Sequence, residues 1–232
     1  MRLTWFGQSA FRVELSGAVI LIDPFIDNPT FKGDRNAAFA GATHVLLSHG
    51  HADHVGSTVE ICKKTGALLI ANPEVCDYLS GQGARHHSPQ NHGGEVDYGA
   101  FRVAFVPAWH SSSDTVNGSN LIYLGNPAGL IVMAKGEKTL HHMGDTGPSA
   151  EMVITQEIYQ PKIGLVPIGD RFTMGARTAA FACKRFFKFE TVIPMHYATF
   201  PLLAQSADDF VAEMKGSPAK VLVPDRGKAV EL

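Results

Sequence analysis

The sequence predicts an α/β fold: two mixed β-sheets packed face to face, with helices outside, in a four-layer αβ/βα sandwich. Three observations point there. Short apolar runs of strand length alternate with helix-length segments through both halves of the chain. No low-complexity segment and no linker rich in Pro, Gly and Ser divides it. Polar residues able to do chemistry recur where the strand-length runs end, the rim at which open α/β sheets carry their sites. The expected unit is one domain over residues 1–232, with pseudo-halves of about 1–135 and 136–232.

Taken in order, Arg2–Phe6, Ala10–Leu15 and Val19–Asp23 read as three strands, parted by Gly7-Gln8-Ser9 and Ser16-Gly17. Pro24 removes a ladder donor and stops the third, leaving Asp23 at its end. Residues 25–42 are polar and contain Gly, and read as a loop bordering the site. Thr43–Ser48 is apolar and bounded, like a buried strand. Val55–Thr65 reads as a helix: Glu60 and Lys64 sit four apart, Lys63 and Lys64 fill the last turn, and Gly66 stops it. Ala67–Ala71 is a strand, and Pro73–Leu79 a helix with Asn72 as cap and Pro73 at its first position. Asn91-His92-Gly93-Gly94 is a turn. Phe101–Trp109 is a strand that runs into His110 and a flexible Ser111-Ser112-Ser113. Asn120–Leu124 and Leu130–Ala134 read as a hairpin around the segment from Gly125 to Gly129. Thr139–Met143 is a strand that leads into Gly144-Asp145-Thr146-Gly147. Ala150–Ile158 is helical, Ile163–Ile168 is a strand ending in Gly169-Asp170, and Ala176–Phe187 is a helix with apolar faces. Thr191–Pro194 is a strand that delivers His196. Ala207–Lys215 is a last helix, and Lys220–Val223 and Lys228–Glu231 are closing strands.

Composition narrows the class. Hydrophobic residues are 45% of the 232, enough for a sizeable core. Twenty Lys and Arg stand against 22 Asp and Glu, so the net charge of −2 speaks against nucleic acid or a membrane surface as partner. Cys62, Cys76 and Cys183 are widely spaced, form no CxxC, and read as buried free thiols in a reducing compartment. No basic-then-apolar leader opens the chain and no apolar run could span a bilayer, so the expected location is cytoplasmic. The expected partner is a small-molecule substrate; homo-oligomerisation is left open.

The chemistry centres on His49-Gly50-His51-Ala52-Asp53-His54, which puts four strong ligands for zinc or a neighbouring first-row metal within six residues. A helix cap explains Asp53 alone, but capping does not need three histidines. The motif follows a strand. His49 and His51 alternate along an extended segment and can grip one ion. Asp53 and His54 follow as the chain turns and can face a second. Three more candidates stand at strand ends: His110, Asp145 and His196. Each alone is a weak signal, since a lone His after a strand is more often a hydrogen-bonded structural residue. His44, His86, His87, His92, His141 and His142 are assigned no ligand role and read as surface or structural histidines.

HxHxDH resembles the signature of the metallo-β-lactamase superfamily. Gly7-Gln8-Ser9-Ala10, Leu21-Ile22-Asp23-Pro24-Phe25, Gly144-Asp145-Thr146-Gly147, Phe172-Thr173-Met174-Gly175 and Pro194-Met195-His196-Tyr197 extend the likeness over nearly the whole chain. They resemble the branch of small metal-dependent hydrolases that includes the ascorbate-phosphate lactonases and a large group without known substrates. The resemblance implies two divalent ions per chain, zinc with manganese as the other candidate. His49, His51 and His110 would bind the first, Asp53, His54 and His196 the second, and Asp145 would bridge them. Asp23 would orient a ligand imidazole by accepting its free N–H. It implies hydrolysis of a small ester, lactone or phosphoester by a hydroxide held between the ions, with Asp53 orienting it and the other ion, or a nearby donor such as Tyr197, steadying the leaving oxygen. Asp170, Arg171 and Thr173 would border the pocket, although Asp170 reads equally as a cap for the next helix. Arg171 stands where this branch carries a small or amide side chain, and a guanidinium there could select an anionic substrate through two parallel hydrogen bonds. Two rivals share the fold: a di-iron redox enzyme, which would carry a carboxylate where His51 stands, and a nucleic-acid-processing phosphodiesterase, which needs a basic face.

Overall fold

The computed structural model describes residues 1–116, 118 and 120–232. β1 (Arg2–Trp5), β2 (Phe11–Leu15) and β3 (Ala18–Ile22) form an antiparallel meander. After β3 the chain forms α1 (Arg35–Phe39), capped by Asp34, whose side chain accepts from the backbone of Asn36 and Ala37. That helix lies inside the segment expected to be loop; a five-residue helix is too short to show a period. β4 (His44–Leu46) then joins β3 in parallel. The helix expected from Val55 is two: α2 (Ala52–Val55) and α3 (Thr58–Thr65). Gly56 separates them at φ +44°, where a Cβ would sit 2.7 Å from the Pro24 carbonyl oxygen. β5 (Leu68–Ala71), α4 (Pro73–Gln82) and β6 (His87–Pro89) extend the sheet in parallel. α4 starts where Asn72 accepts from the Val75 N–H and ends at Gly83, φ +118°.

The second sheet opens with β7 (Glu95–Asp97) and β8 (Arg102–Pro107). β9 (Ser113–Val116) and β10 (Asn120–Tyr123) pair only with each other, so the serines after His110 lead into a strand. β11 (Ala128–Met133) pairs with β8 and with β12 (Leu140–His142), not with β10; the expected 120–134 hairpin does not form. α5 (Glu151–Tyr159), β13 (Ile163–Pro167), α6 (Ala176–Phe186), β14 (Thr191–Met195), α7 (Asp208–Glu213) and β15 (Lys220–Val221) follow, with β12 to β15 all parallel. β16 (Ala229–Glu231) returns to the outer edge of β1. The chain changes sheets between Pro89 and Glu95, not near residue 136, and β16 crosses back.

Among the described residues each of the two main sheets has seven strands, and both are mixed. Their inner faces form the main core, where Ile20, Ile22, Leu46 and Ile70 meet Phe105, Leu130, Leu165 and Ile193. Alternate residues of the first sheet, Leu21, Val45, Leu47 and Leu69, point outward under α3 and α4, against Ile61, Cys62, Val75 and Leu79. This period of two with both faces buried makes the parallel strands near-continuous apolar runs. The three cysteines are free and buried, as expected.

Candidate metal centre

The topology brings the ligand-bearing loops to one rim. β3 and β4 are parallel and adjacent, so Asp23 and His49 leave the first sheet side by side. β11 runs against both β8 and β12, so β8, β12 and β14 point the same way and deliver His110, Asp145 and His196 from the second sheet.

The side chains converge. His49 Nε2 lies 3.0 Å from His51 Nδ1, and His110 joins them in one cluster. Asp53, His54 and His196 form another: Asp53 Oδ2 is 3.7 Å from His54 Nε2 and 3.6 Å from His196 Nε2. Asp145 lies between the clusters. Its Oδ1 is 3.3 Å from His54 Nε2, and its Oδ2 is 3.0 Å from His196 Nε2 and 3.5 Å from His110 Nε2.

These groups fit a metal better than each other. Ligand atoms about 2.0–2.1 Å from one tetrahedral ion lie roughly 3.3 Å apart, which the spacings here resemble. His54 Nε2 and Asp145 Oδ1 are buried without a hydrogen-bond partner, and such atoms are rare unless something else satisfies them. Five imidazoles and two carboxylates make a donor set for borderline cations such as zinc.

Electrostatics divides the histidines. Burial holds His49 well below the usual imidazole range, with His54 adding to the effect. Burial likewise lowers His51 and His110, so all three are neutral near pH 7 and ready to ligate. Burial works against protonation of His54 and His196 too, but carboxylates overcome it. Asp145, Asp53 and Asp23 hold His54 well above its ordinary value, and Asp145 raises His196 to about 9. Asp145 stays far below the carboxylate range because, against its burial, His196 and His54 stabilise the anion. A dication held among these groups would take the place of those protons.

Supporting contacts fix the orientations. Asp23 is fully buried at φ +44°, accepts from the Ser48 N–H at 2.8 Å and the Ser48 hydroxyl at 2.6 Å, and lies 2.7 Å from His54 Nδ1. Gln8, at φ +47°, donates its side-chain amide to Asp53 Oδ2 at 2.7 Å, and its carbonyl accepts from the His196 N–H at 2.9 Å. His196 itself has φ +60°. Gly169 leaves room for it, since a Cβ there would run into the His196 carbonyl oxygen and lie 2.8 Å from Nδ1. His142, expected to be structural, is fully buried, lies 3.0 Å from the Ser9 carbonyl oxygen and accepts from the Gly144 N–H.

Above the clusters opens a cavity of about 510 Å³, walled by Phe25, Phe172, Phe200, Leu203 and Ser111. Besides His49, His54 and Asp23, which lie among the clusters below, four residues expected to act at or border the pocket do not line it. Tyr197 is buried in the main core, its ring stacked on Trp5 at 5.2 Å, because the chain turns at His196 and sends the next side chain the other way. Asp170 closes a turn with Thr173 and Met174 and lays its carboxylate against Gly175 at the start of α6. The Thr173 hydroxyl donates locally to the Met174 carbonyl. Arg171 is exposed beside Phe172, and it is the phenylalanine that faces the cavity. The sequence reading missed Gln8, Ser48 and the phenylalanines. A turn glutamine and loop aromatics carry no spacing signal, although Ser48 directly precedes the first ligand candidate.

A site of this composition, at the strand-end rim of two facing mixed sheets, defines a class. A family model for the β-lactamase superfamily domain matches residues 2–196, and the chain belongs to the metallo-β-lactamase superfamily. Its relatives sharpen this. A UPF0173 metal-dependent hydrolase of Chelativorans sp. (strain BNC1) is 54% identical over 235 residues, covering 100% of both chains. One from Methylocella silvestris is 56% identical over 228 residues, covering 98% of each. The solved structure of Igni18, a metallo hydrolase from Ignicoccus hospitalis, superposes with a TM-score of 0.88 at 36% identity, over 99% of this chain and 97% of that one. With likeness of this extent, the chain is a metal-dependent hydrolase. Among the described residues no helix is long and apolar enough to cross a membrane.

Proposed function

We propose that this hydrolase cleaves a small ester, lactone or phosphoester at a pair of divalent ions, zinc being the first candidate and manganese the second. The observation that carries the reading is the position of Asp145, with one carboxylate oxygen against His54 and the other against His110 and His196. A carboxylate so placed offsets the repulsion of two cations about 3.5–4 Å apart. His49, His51 and His110 would hold one ion, and Asp53, His54 and His196 the other. When bound, such ions act as Lewis acids and lower the pKa of water near neutrality.

The chain's own residues do the rest. Gln8 pins one oxygen of Asp53, which lines the cavity and orients the attacking water with the other. Asp23 accepts the Nδ1 proton of His54 and so turns Nε2 toward the ions. The Ser111 hydroxyl is 3.4 Å from His51 and is the wall's hydroxyl nearest the floor of the cavity. No tyrosine lines the cavity among the described residues, so the leaving oxygen is not met by Tyr197. The test is elemental analysis of unheated purified protein, with His49→Ala and His196→Ala beside it. Two ions per wild-type chain, and a different site weakened in each variant, are expected. One ion per wild-type chain, or full occupancy in both variants, refutes the reading.

A further inference from the structure

The walls of the cavity carry a preference that the ion ligands do not. Phe25 and Phe200 stack with ring centroids 6.3 Å apart and planes 26° from parallel. Phe172 is 53% exposed yet lines the same space, with Leu203 beneath. Among the described residues, and apart from the candidate ion ligands and Ser111, every lining side chain is apolar and none is Lys or Arg. Exposing Phe172 and Phe200 around a cavity, with Phe25 half-buried beside them, leaves apolar area in water unless a ligand covers it. A substrate with a second charge would find no partner there and would lose its hydration. Ions held by the candidate ligands would polarise the reacting oxygen, whereas among the described residues the rest of the wall offers no cation to an anionic tail.

From this we infer that the substrate is an uncharged carboxylic ester or lactone whose non-reacting part is an aromatic ring or short alkyl chain. That part would lie against Phe25, Phe172 and Phe200. The inference rests on the hydrolase reading above and narrows it. In the reaction the oxygen of water bonds to the acyl carbon, the bond from that carbon to the ester oxygen breaks, and the two protons of water end on the acid and the alcohol. Phosphoesters, charged throughout, fall outside the class.

The test uses zinc-loaded protein and a series of phenyl esters from acetate to hexanoate, with phenyl phosphate as the charged counterpart. Burial of each added methylene predicts a rise in kcat/KM of about fourfold until the wall is filled. Phe172→Ala and Phe200→Ala should flatten that dependence by raising KM for the longer esters. Phe172 stands in solvent, so its removal leaves the core untouched. A second readout needs no turnover: binding of 2-acetonaphthone, an uncharged ketone, to chelator-treated protein, measured by equilibrium dialysis. It should weaken at least tenfold in the double variant. Ketone binding that depends on the rings, without turnover of any ester or of phenyl phosphate, would overturn the hydrolytic reading proposed above and, with it, the assignment of an ester to this wall. Turnover that is flat in chain length, faster on phenyl phosphate, or joined to ketone binding indifferent to both phenylalanines would overturn the inference and leave the hydrolase reading standing.

Discussion

Asp23→Asn should separate the two ion sites. Asp23 accepts from both the Ser48 N–H and the Ser48 hydroxyl, at 2.8 and 2.6 Å, and its Oδ2 faces His54 Nδ1 at 2.7 Å. Asparagine keeps the shape and can still accept from the Ser48 N–H through its oxygen. Its NH2 then points where Oδ2 was. The Ser48 hydroxyl can rotate and accept. His54 cannot adapt so cheaply: to accept at Nδ1 it must carry its proton on Nε2, the atom that faces Asp145 at 3.3 Å and is needed for an ion. Restoring the productive tautomer leaves two N–H groups opposed. Loss of such an orienting partner typically weakens metal binding 10–100-fold, or about 1.4–2.7 kcal/mol. The change should fall on the ion shared by Asp53, His54 and His196, and spare the one held by His49, His51 and His110. Competition with a chromogenic zinc chelator, read as two stepwise affinities, measures it. Both affinities within twofold of wild type would refute the orienting role. Equal weakening of both would show that Asp23 acts on the fold of the rim instead.

Asp145→Ala should cost more bound metal than any single histidine substitution, because it faces both clusters; elemental analysis decides, and retention of two ions refutes the bridge. Gly169→Ala should destabilise by about 1–3 kcal/mol through overpacking, since the added Cβ meets the His196 carbonyl oxygen, and calorimetry should show a Tm several degrees lower. An unchanged Tm would mean that the loop yields freely. His141 is fully buried, and burial lowers its pKa to about 3. The unfolded chain takes up this proton near pH 6.5 and the folded chain does not, so stability falls as pH drops from 6.5 toward 3. His141→Leu should flatten that part of the pH–Tm curve; an equally steep curve assigns the effect to other groups. Arg171→Ala should leave the KM ratio for anionic and neutral substrates unchanged, because the guanidinium lies outside the cavity; a selective rise for anions would return it to the site.

The features legible in the sequence are those set by near neighbours. Asn72 and Pro73 mark the start of α4 because capping is local, whereas its end, expected at Leu79, lies at Gln82. The six residues from His49 to His54 declare metal chemistry because ligand types at short spacing have few other uses. What the tertiary structure decided depends on distant partners. Ala128–Met133 has the composition of any strand, and its place between β8 and β12 rather than beside β10 goes with burial of Leu130 and Val132 in the core they share with Val103, Phe105 and Leu140. Gln8 gained its place beside Asp53 because β1 and β2 bring a turn under a loop 45 residues away. The cavity wall turned on single-residue directions. Phe172 faces the cavity while Arg171 beside it does not, and His196 joins the candidate ligand cluster while Tyr197 turns into the core. Composition and spacing say which chemistry a loop can carry; the backbone angle at each position says which side chain meets the substrate. That angle, +60° at His196, is imposed by the packing of Gly169 and Gln8 around it.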